Sequence, residues 1–421
     1  MEMHAFGHLL PVETARRRLL AAARPVERTE HVPLEAAFGR VSSVDVRSPR
    51  DVPSFRRATW DGYAVRSTDT RGARATRPAV LRLVGEAFAE GGFAGHVGPG
   101  EAIAIATGAA VPVGANSVVI FEEVERDMGT IRVPRPIRFG DRISPVGDDF
   151  VRGARLVRRG EPLSPGALGA LAACGFPTTR VYARPLVAIV PNGNELLAPT
   201  ERPRPGAIYE SNNATLSAVV TAAGGIPRVY APSPDDPRRI ERTLRSAVRS
   251  ADLVLATGGS SVGERDYLPR ILPRLGTLLF HGIAVRPGKP TLAARCGRKL
   301  VIGLPGHPAS CLSNMYCLVL PVLRRLAHQP GPGWTDAWAT LGKEAVTLSP
   351  GLSTVVPLAL RDGQAHPTFR GSSVVTSMEG ATAFALLPPG RRVVRAGTRL
   401  RICALDPPLG ARTVLPALGN G

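Results

Sequence analysis

The spacing of apolar and polar positions changes several times along the chain, and each change marks a different architecture. Residues 11–23 (PVETARRRLLAAA) read as a helix, with Glu13 early and the arginines on the outer face. Over residues 78–144, short β-prone runs (VLRLVGEAF, EAIAIAT, SVVIFEEV, TIRV) alternate with glycine and proline turns, which predicts a small β domain. Residues 161–176 return to helix, with Ser164 as N-cap, Pro165 at the first helical position and Gly175 as terminator. From about 185 the pattern becomes strand, loop, helix. PLVAIV (185–190) is a continuous apolar run, as in a strand buried on both faces, and DLVLAT (252–257), TLLFHGIAV (277–285) and KLVIGL (299–304) read as further strands. Between them lie a helix capped near Ser211–Asn212 and ended by Gly224–Gly225, and a helix opened by Asp236–Pro237. The last strand runs through a glycine–proline loop into the helix ASCLSNMYCLVL. Strands alternating with helices predict a doubly wound sheet that binds its ligand at the carboxyl ends of the strands. The stretch HQPGPGWT (328–335) reads as a hinge, and the short runs beyond it (VVPLALR, SSVVTSM, FALLPP, RLRICAL) as a small barrel or sandwich. No internal repeat is evident.

At roughly 100–200 residues per domain, a chain of 421 residues holds about two to four domains. Its 44% hydrophobic and 21% charged residues exclude wholesale disorder. No apolar run reaches the roughly 18 residues of a membrane span, and residues 1–20 lack the apolar stretch of a secretory signal, so a cytoplasmic protein is expected. Five scattered cysteines have no metal-finger spacing and read as buried, reduced thiols. The net charge of +19 is carried by fifty arginines and only three lysines (289, 299 and 343). No dense basic stripe is interleaved with aromatics, so the charge suits an acidic or phosphorylated small substrate better than nucleic acid.

Three loops of the α/β region converge if they leave one edge of its sheet: Pro191–Glu195, Thr257–Tyr267 and Gly303–Ser310. Their glycines let the backbone approach a ligand, and free N–H groups at a following helix start attract anions. Glu195 and Asp266 stand beside them as acceptors or metal ligands. The turn Arg286-Pro287-Gly288-Lys289-Pro290 carries two cations, and Lys289 places a compact ammonium where arginine is the default, which suits a specific contact such as one to an oxyanion.

These loops occur in order with Asp61-Gly62-Tyr63-Ala64-Val65, Thr107-Gly108-Ala109, NELLAP, IYESN, DDP and PGKP. Together they resemble the molybdopterin molybdenumtransferases, the group of bacterial MoeA and the gephyrin E domain, over residues 10 to 405. The resemblance implies an α/β plus β multidomain fold: a doubly wound, MogA/MoaB-like molybdopterin-binding domain, an elongated N-terminal region with an inserted small β domain, and a C-terminal β-barrel-like domain. The expected segments are 1–50 with 145–184 (elongated, dimerising), 51–144 (small β), 185–329 (molybdopterin-binding) and 335–412 (barrel-like). It implies molybdate insertion into adenylylated molybdopterin with release of AMP, in a homodimer whose cleft is shared between subunits.

Carried over by motif, Asp61, Thr107, Asp149, Glu195, Asp236 and Asp266 are the catalytic candidates, with Glu195, Asp236 and Asp266 holding Mg²⁺ or Zn²⁺. Gly258, Gly259, Ser260, Ser261, Gly263, Pro305, Gly306, His307, Pro308 and Ser310 are expected to bind pterin and phosphate. Arg286, Lys289 and Ser372 (in Arg370-Gly371-Ser372-Ser373) are expected on molybdate. The enzyme that adenylylates molybdopterin and apo-molybdoenzymes are the implied partners, with no nucleic acid and no membrane. The chain departs from the family pattern at Asn192, Asn194, Arg286 and His307, and Val355-Val356-Pro357 stand where the family carries an arginine. A tungstate- or variant-pterin-specific paralogue, or a carrier without insertase activity, are the alternative readings.

Overall fold

The computed structural model describes residues 9–90, 95–260, 266–343, 345–390 and 392–405. It divides into two compact units. Within the unit formed by 31–38 and 42–180, a six-stranded mixed sheet runs in the order Ser117–Ile120, Gly62–Val65, Glu101–Ile105, Ala79–Ala87, Thr130–Val133, Glu125–Asp127. Alternate residues of its central strands feed two separate cores. Ala64, Ile103, Ile105 and Val118 pack on one face, and Tyr63, Val65, Ala102 and Val119 on the other. The helix Pro165–Ala173 starts as expected, with Ser164 Oγ accepting from Ala167 N at 3.2 Å.

The other unit (1–30, 39–41 and 181–421) contains a second six-stranded sheet. Ile226–Val229, Leu186–Pro191, Leu253–Thr257 and Lys299–Leu304 are parallel; Leu292–Cys296 and Thr277–His281 extend the sheet antiparallel. Val187, Ile189, Leu253, Leu255, Leu300 and Ile302 face helices Val12–Ala22, Asn212–Ala222 and the run 308–326. Ala188, Val190, Val254, Ala256 and Val301 face helices Pro237–Ser250 and Leu268–Leu275. Helices therefore cover both faces, which is why these strands are apolar throughout.

Several sequence expectations are corrected here. The run 277–285 is two strands: it breaks at Gly282, whose φ is +89°, and resumes as Val285–Arg286 in another sheet. The strands Ile226–Val229 and Leu292–Cys296 were not anticipated. The first is a mostly exposed edge containing Pro227, and the second is built largely from small residues. The helix Asn212–Ala222 is not capped by Ser211. The preceding Glu210 accepts from Asn212 N at 3.0 Å and Asn213 N at 2.7 Å. The 308–326 helix contains a π turn, Met315–Val319.

The C-terminal strands form a closed ring. Ser353–Arg361 pairs with Gln364–Pro367, which pairs with Trp334–Leu341, then Arg399–Leu405, then Ala383–Leu387, which returns to Ser353–Arg361. SSVVTSM is not a strand. It contains the 3₁₀ turn Val375–Met378, because fully buried Ser377 turns inward to bond the backbone of residues 370 and 371. The 328–333 connector is not a free hinge. His328 stacks on Tyr182 at 3.6 Å, Gln329 donates to Gly39 O at 2.7 Å, and Arg324 Nε donates to Pro330 O at 3.2 Å.

The five cysteines are free and four are buried. Burial pushes the Cys317 and Cys403 thiols up to about 12, so neither is a ready thiolate. Among the described residues no helix is long and apolar enough to cross a membrane.

Candidate functional site

The pairing register aligns the carboxyl ends of three strands. Pro191 stands opposite Thr257, and Thr257 opposite Leu304, so the three glycine-bearing loops leave one edge side by side. Their backbones touch. A Cβ on Gly258, at φ +78°, would lie 2.4 Å from Asn192 O, and one on Gly306 would meet Gly258 Cα at 3.6 Å. Only glycine permits the first approach. Ser260 Oγ donates to Leu304 O at 3.3 Å, and Asn212 Nδ2 to Gly306 O at 2.9 Å. Gly258, Gly259, Ser260, Pro305, Gly306, His307, Pro308 and Ser310 thus share this edge, while Ser261 and Gly263 lie outside the described residues. Asn192 is buried, and its amide donates to Val190 O and Thr257 O at 3.3 and 3.2 Å; it ties two strands together.

The carboxylates are placed differently from one another. The Glu195 side chain folds back on Gly193, where a Cβ would lie 2.6 Å from its Oε1. Asn194 and Asp235 exchange bonds, Asp235 N to Asn194 Oδ1 at 3.1 Å and Asn194 N to Asp235 Oδ2 at 3.4 Å, so the first loop and the approach to Asp236 are joined. Asp236 is the N-cap of helix Pro237–Ser250, accepting from Arg239 N at 2.9 Å. That N–H bond holds its carboxyl below the ordinary aspartate range. Asp266 is half-buried, just before helix Leu268–Leu275. Among the described residues no three His, Cys, Asp or Glu side chains gather as a metal cage.

Beside the loop edge a cleft of about 600 Å³ is lined by the 285–290 turn, by Pro305, His307 and Ser310, and by residues 369–372 of the barrel. Arg286 and Lys289 reach it because Val285–Arg286 pairs with the barrel strand Ser353–Arg361 and because the turn is suspended from a buried amide. Asn314 Nδ2 donates to Gly288 O at 2.8 Å and to Thr291 Oγ1 at 2.6 Å. Gly288 sits at φ +108°, where a Cβ would be 2.3 Å from that nitrogen. Arg286 Nη1 also donates to Ser349 Oγ at 3.0 Å. Ser372 O accepts from Ala309 N at 3.1 Å, which latches the barrel loop to the turn that carries His307 and Ser310. Among the described residues no Asp or Glu lines the cleft; Glu195, Asp236 and Asp266 stand outside it. Among the charged residues lining the cleft, sequence reasoning left one without a role: Arg370, two positions before Ser372. Its adjacency to that serine was the available signal.

Asp61, Thr107 and Asp149 belong to the other compact unit. Asp61 Oδ1 accepts from Thr107 N at 2.7 Å and Thr107 Oγ1 at 3.0 Å. Those two bonds, the backbone one first, hold the exposed Asp61 carboxyl below its ordinary range. Gly62 beside it admits no side chain, since a Cβ would lie 2.0 Å from Val119 O. Asp149 pairs with Arg57 at 3.4 Å.

Residues 10–175 match the MoeA N-terminal region (domains I and II), 188–325 a probable molybdopterin-binding domain, and 342–405 the MoeA C-terminal region (domain IV). A molybdopterin molybdenumtransferase of Bacillus subtilis (strain 168) is 32% identical over 402 residues, covering 93% of each chain. The chain belongs to the molybdopterin molybdenumtransferase family. A family member from Nostoc sp. is 30% identical, covering 90% of this chain and 89% of that one. The crystal structure of a molybdopterin biosynthesis MoeA protein from Pyrococcus horikoshii OT3 superposes with a TM-score of 0.80 at 30% identity, covering 94% of this chain and 100% of that one. The fold is accordingly the family's α/β plus β architecture, in which the arginine- and lysine-lined cleft lies beside the molybdopterin-binding-type sheet edge.

Proposed function

We propose that the chain inserts molybdate into adenylylated molybdopterin, with hydrolytic release of AMP, to complete the molybdenum cofactor. The observation that carries this reading is the cleft lined by Arg286, Lys289 and Arg370, adjoining glycine loops that a phosphate and a pterin can approach. Molybdate is a tetrahedral dianion and needs fixed cations and O–H donors. Arg286 and Lys289 supply the charge, and Ser310 and Ser372 the hydroxyls. The loops around Gly258, Ser260 and Gly306 hold the pterin and its phosphate, with freed N–H groups turned to the anion. His307, exposed at the N-cap position of helix Pro308–Asn314, stands at the junction of the two and donates from its ring to the pterin phosphate.

The donor set suits magnesium and not zinc. Zinc takes three or four protein ligands, whereas magnesium is held by one or two carboxylates together with substrate phosphates and water. Glu195 and Asp266 are the residues that would hold it, with Asp236 fixing the adjoining helix. Bound there, the cation would neutralise the phosphate oxygens and favour departure of AMP. Asp61, kept ionised by Thr107, orients the attacking water. We further propose a cytoplasmic homodimer in which Asp61 and Thr107 of one subunit complete the cleft of the other. In that assembly 1–50 with 145–184 make the dimer contact, 51–144 carries Asp61 and Thr107, 185–329 holds the pterin, and 335–412 closes on the oxyanion. The enzyme that adenylylates molybdopterin is the donor and apo-molybdoenzymes are the recipients.

The test is to mix the purified protein with adenylylated molybdopterin, molybdate and magnesium, then follow AMP release and activation of an apo-molybdoenzyme. Both are expected. AMP release that activates no apo-enzyme at any molybdate concentration overturns the insertase reading.

A further inference from the structure

We propose that Arg370 is a third cation of the oxyanion pocket, reaching from the barrel to a tetrahedral dianion that Arg286 and Lys289 hold from the 285–290 turn. The inference rests on the insertase reading, and it concerns a residue that the motif comparison leaves without a role. Arg370 lines the same cleft as Arg286 and Lys289. Among the described residues no lining residue is acidic and no carboxylate pairs with Arg370 or Arg286.

The backbone of Arg370 is fixed from inside the barrel. Ser377 is fully buried, and its Oγ accepts from Arg370 N at 3.0 Å and from Gly371 N at 3.1 Å while donating to Gly371 O at 2.8 Å. Thr368 Oγ1 donates to Ser377 O at 2.8 Å, so both sides of Arg370 are bonded to one turn. One residue further on, Ser372 O is latched to Ala309 N. A guanidinium on so constrained a loop approaches the pocket with little backbone freedom left to lose on binding.

Among the described residues the barrel places no other charge at the cleft. Val355 and Val356 of the neighbouring strand are core residues, 2% and 3% exposed, and the remaining barrel residues at the cleft are Leu352, Phe369, Gly371 and Ser372. Without Arg370 the oxyanion would be held by charge from the turn alone. With it, the planar fork can take two oxygens of the tetrahedron while Lys289 takes another as a point charge. Three cations from two substructures then define both the charge and the shape of the ligand.

The measurement is equilibrium dialysis of the full chain with molybdate alone, beside a molybdate titration of insertion and pterin binding by fluorescence. Arg370→Gln is expected to weaken molybdate binding, and to raise the molybdate needed for insertion, by about ten-fold, the size of one charge-assisted bond. Pterin affinity should change less than about two-fold, and Arg370→Lys should recover part of the loss. If the parent protein binds molybdate but supports no insertion, the insertase reading fails while the dialysis still judges Arg370. Molybdate binding equal in Arg370→Gln and parent, with Lys289→Ala weakened, overturns the proposal. So does a parent protein that binds no molybdate.

Discussion

Asn314 has no contact with solvent, yet it sets the position of the two cations of the 285–290 turn. Its amide nitrogen holds Gly288 O and Thr291 Oγ1, so Asn314→Ala removes two buried bonds and leaves Gly288 O with the Thr291 hydroxyl as its side-chain donor. The expected loss is about 2 kcal/mol of stability by denaturant unfolding, together with a raised molybdate requirement and unchanged pterin affinity. Lys289 acts directly. Lys289→Ala should raise the molybdate requirement roughly ten- to a hundred-fold, and Lys289→Arg should restore part of it. A collapse of pterin binding in Lys289→Ala, with the molybdate requirement unchanged, would assign the lysine to the pterin instead. At Asp61 the expected effect is one of pH. Its folded-state pKa is depressed by the Thr107 N–H and hydroxyl. The charged form is therefore favoured above the unfolded value near 3.9 and loses its support as pH falls through the folded one. Thr107→Val keeps the N–H and removes the hydroxyl, so the Asp61 titration followed by NMR should move upward. An unshifted titration would show that the hydroxyl bond is absent in solution.

At the scale of elements, two helix starts carry opposite electrostatics. Asp236 is a half-buried cap whose carboxyl is held below the ordinary aspartate range, and it is also a candidate for the metal site. Serine caps as well as aspartate but brings no charge. Asp236→Ser should therefore keep the thermal midpoint that Asp236→Ala lowers. If the two variants lose AMP release equally, the carboxylate takes part in the chemistry; if Asp236→Ser retains it, the residue only positions its helix. Glu210 is a buried cap, and burial raises its pKa in spite of the bonds from Asn213 N and Asn212 N. With the folded value above the unfolded one, its contribution to stability is greatest below the unfolded pKa and is lost as pH rises through the folded pKa. Glu210→Gln should flatten that dependence when thermal unfolding is followed as pH rises above the unfolded glutamate pKa. Glu210→Ala, with two orphaned N–H groups, should cost about 1–2 kcal/mol.

For the whole molecule, the candidate residues fall into the two compact units: Asp61, Thr107 and Asp149 in one, the loop edge and the cationic cleft in the other. The shared-cleft homodimer makes a complementation prediction. Asp61→Asn and Lys289→Ala subunits, each inactive alone at limiting molybdate, should regain activity there when unfolded together and reassembled, because half of each mixed dimer's sites are intact. No recovery from dimers shown to have mixed, or a fully active monomer by sedimentation at micromolar concentration, would remove the shared site.

Local chemistry was enough to read much of this from the sequence. The apolar runs 185–190, 252–257 and 299–304 are strands because a parallel sheet covered on both faces needs unbroken hydrophobicity. Ser164–Pro165 and Asp236–Pro237 are helix starts because their side chains and fixed φ act within three residues. The glycine loops and their ordered motifs gave the family, since close backbone approach to a ligand leaves a residue-by-residue mark. What distant contacts set was not legible. The break at Gly282 and the ring closed by Ser353–Arg361 and Ala383–Leu387 depend on partners tens of residues away, and the 3₁₀ turn around Ser377 on a loop six to nine residues before it. Arg370 was one arginine among fifty in the sequence. Its place at the cleft was decided by a buried hydroxyl and a closed barrel, because the direction of a side chain from a loop follows from what anchors the loop.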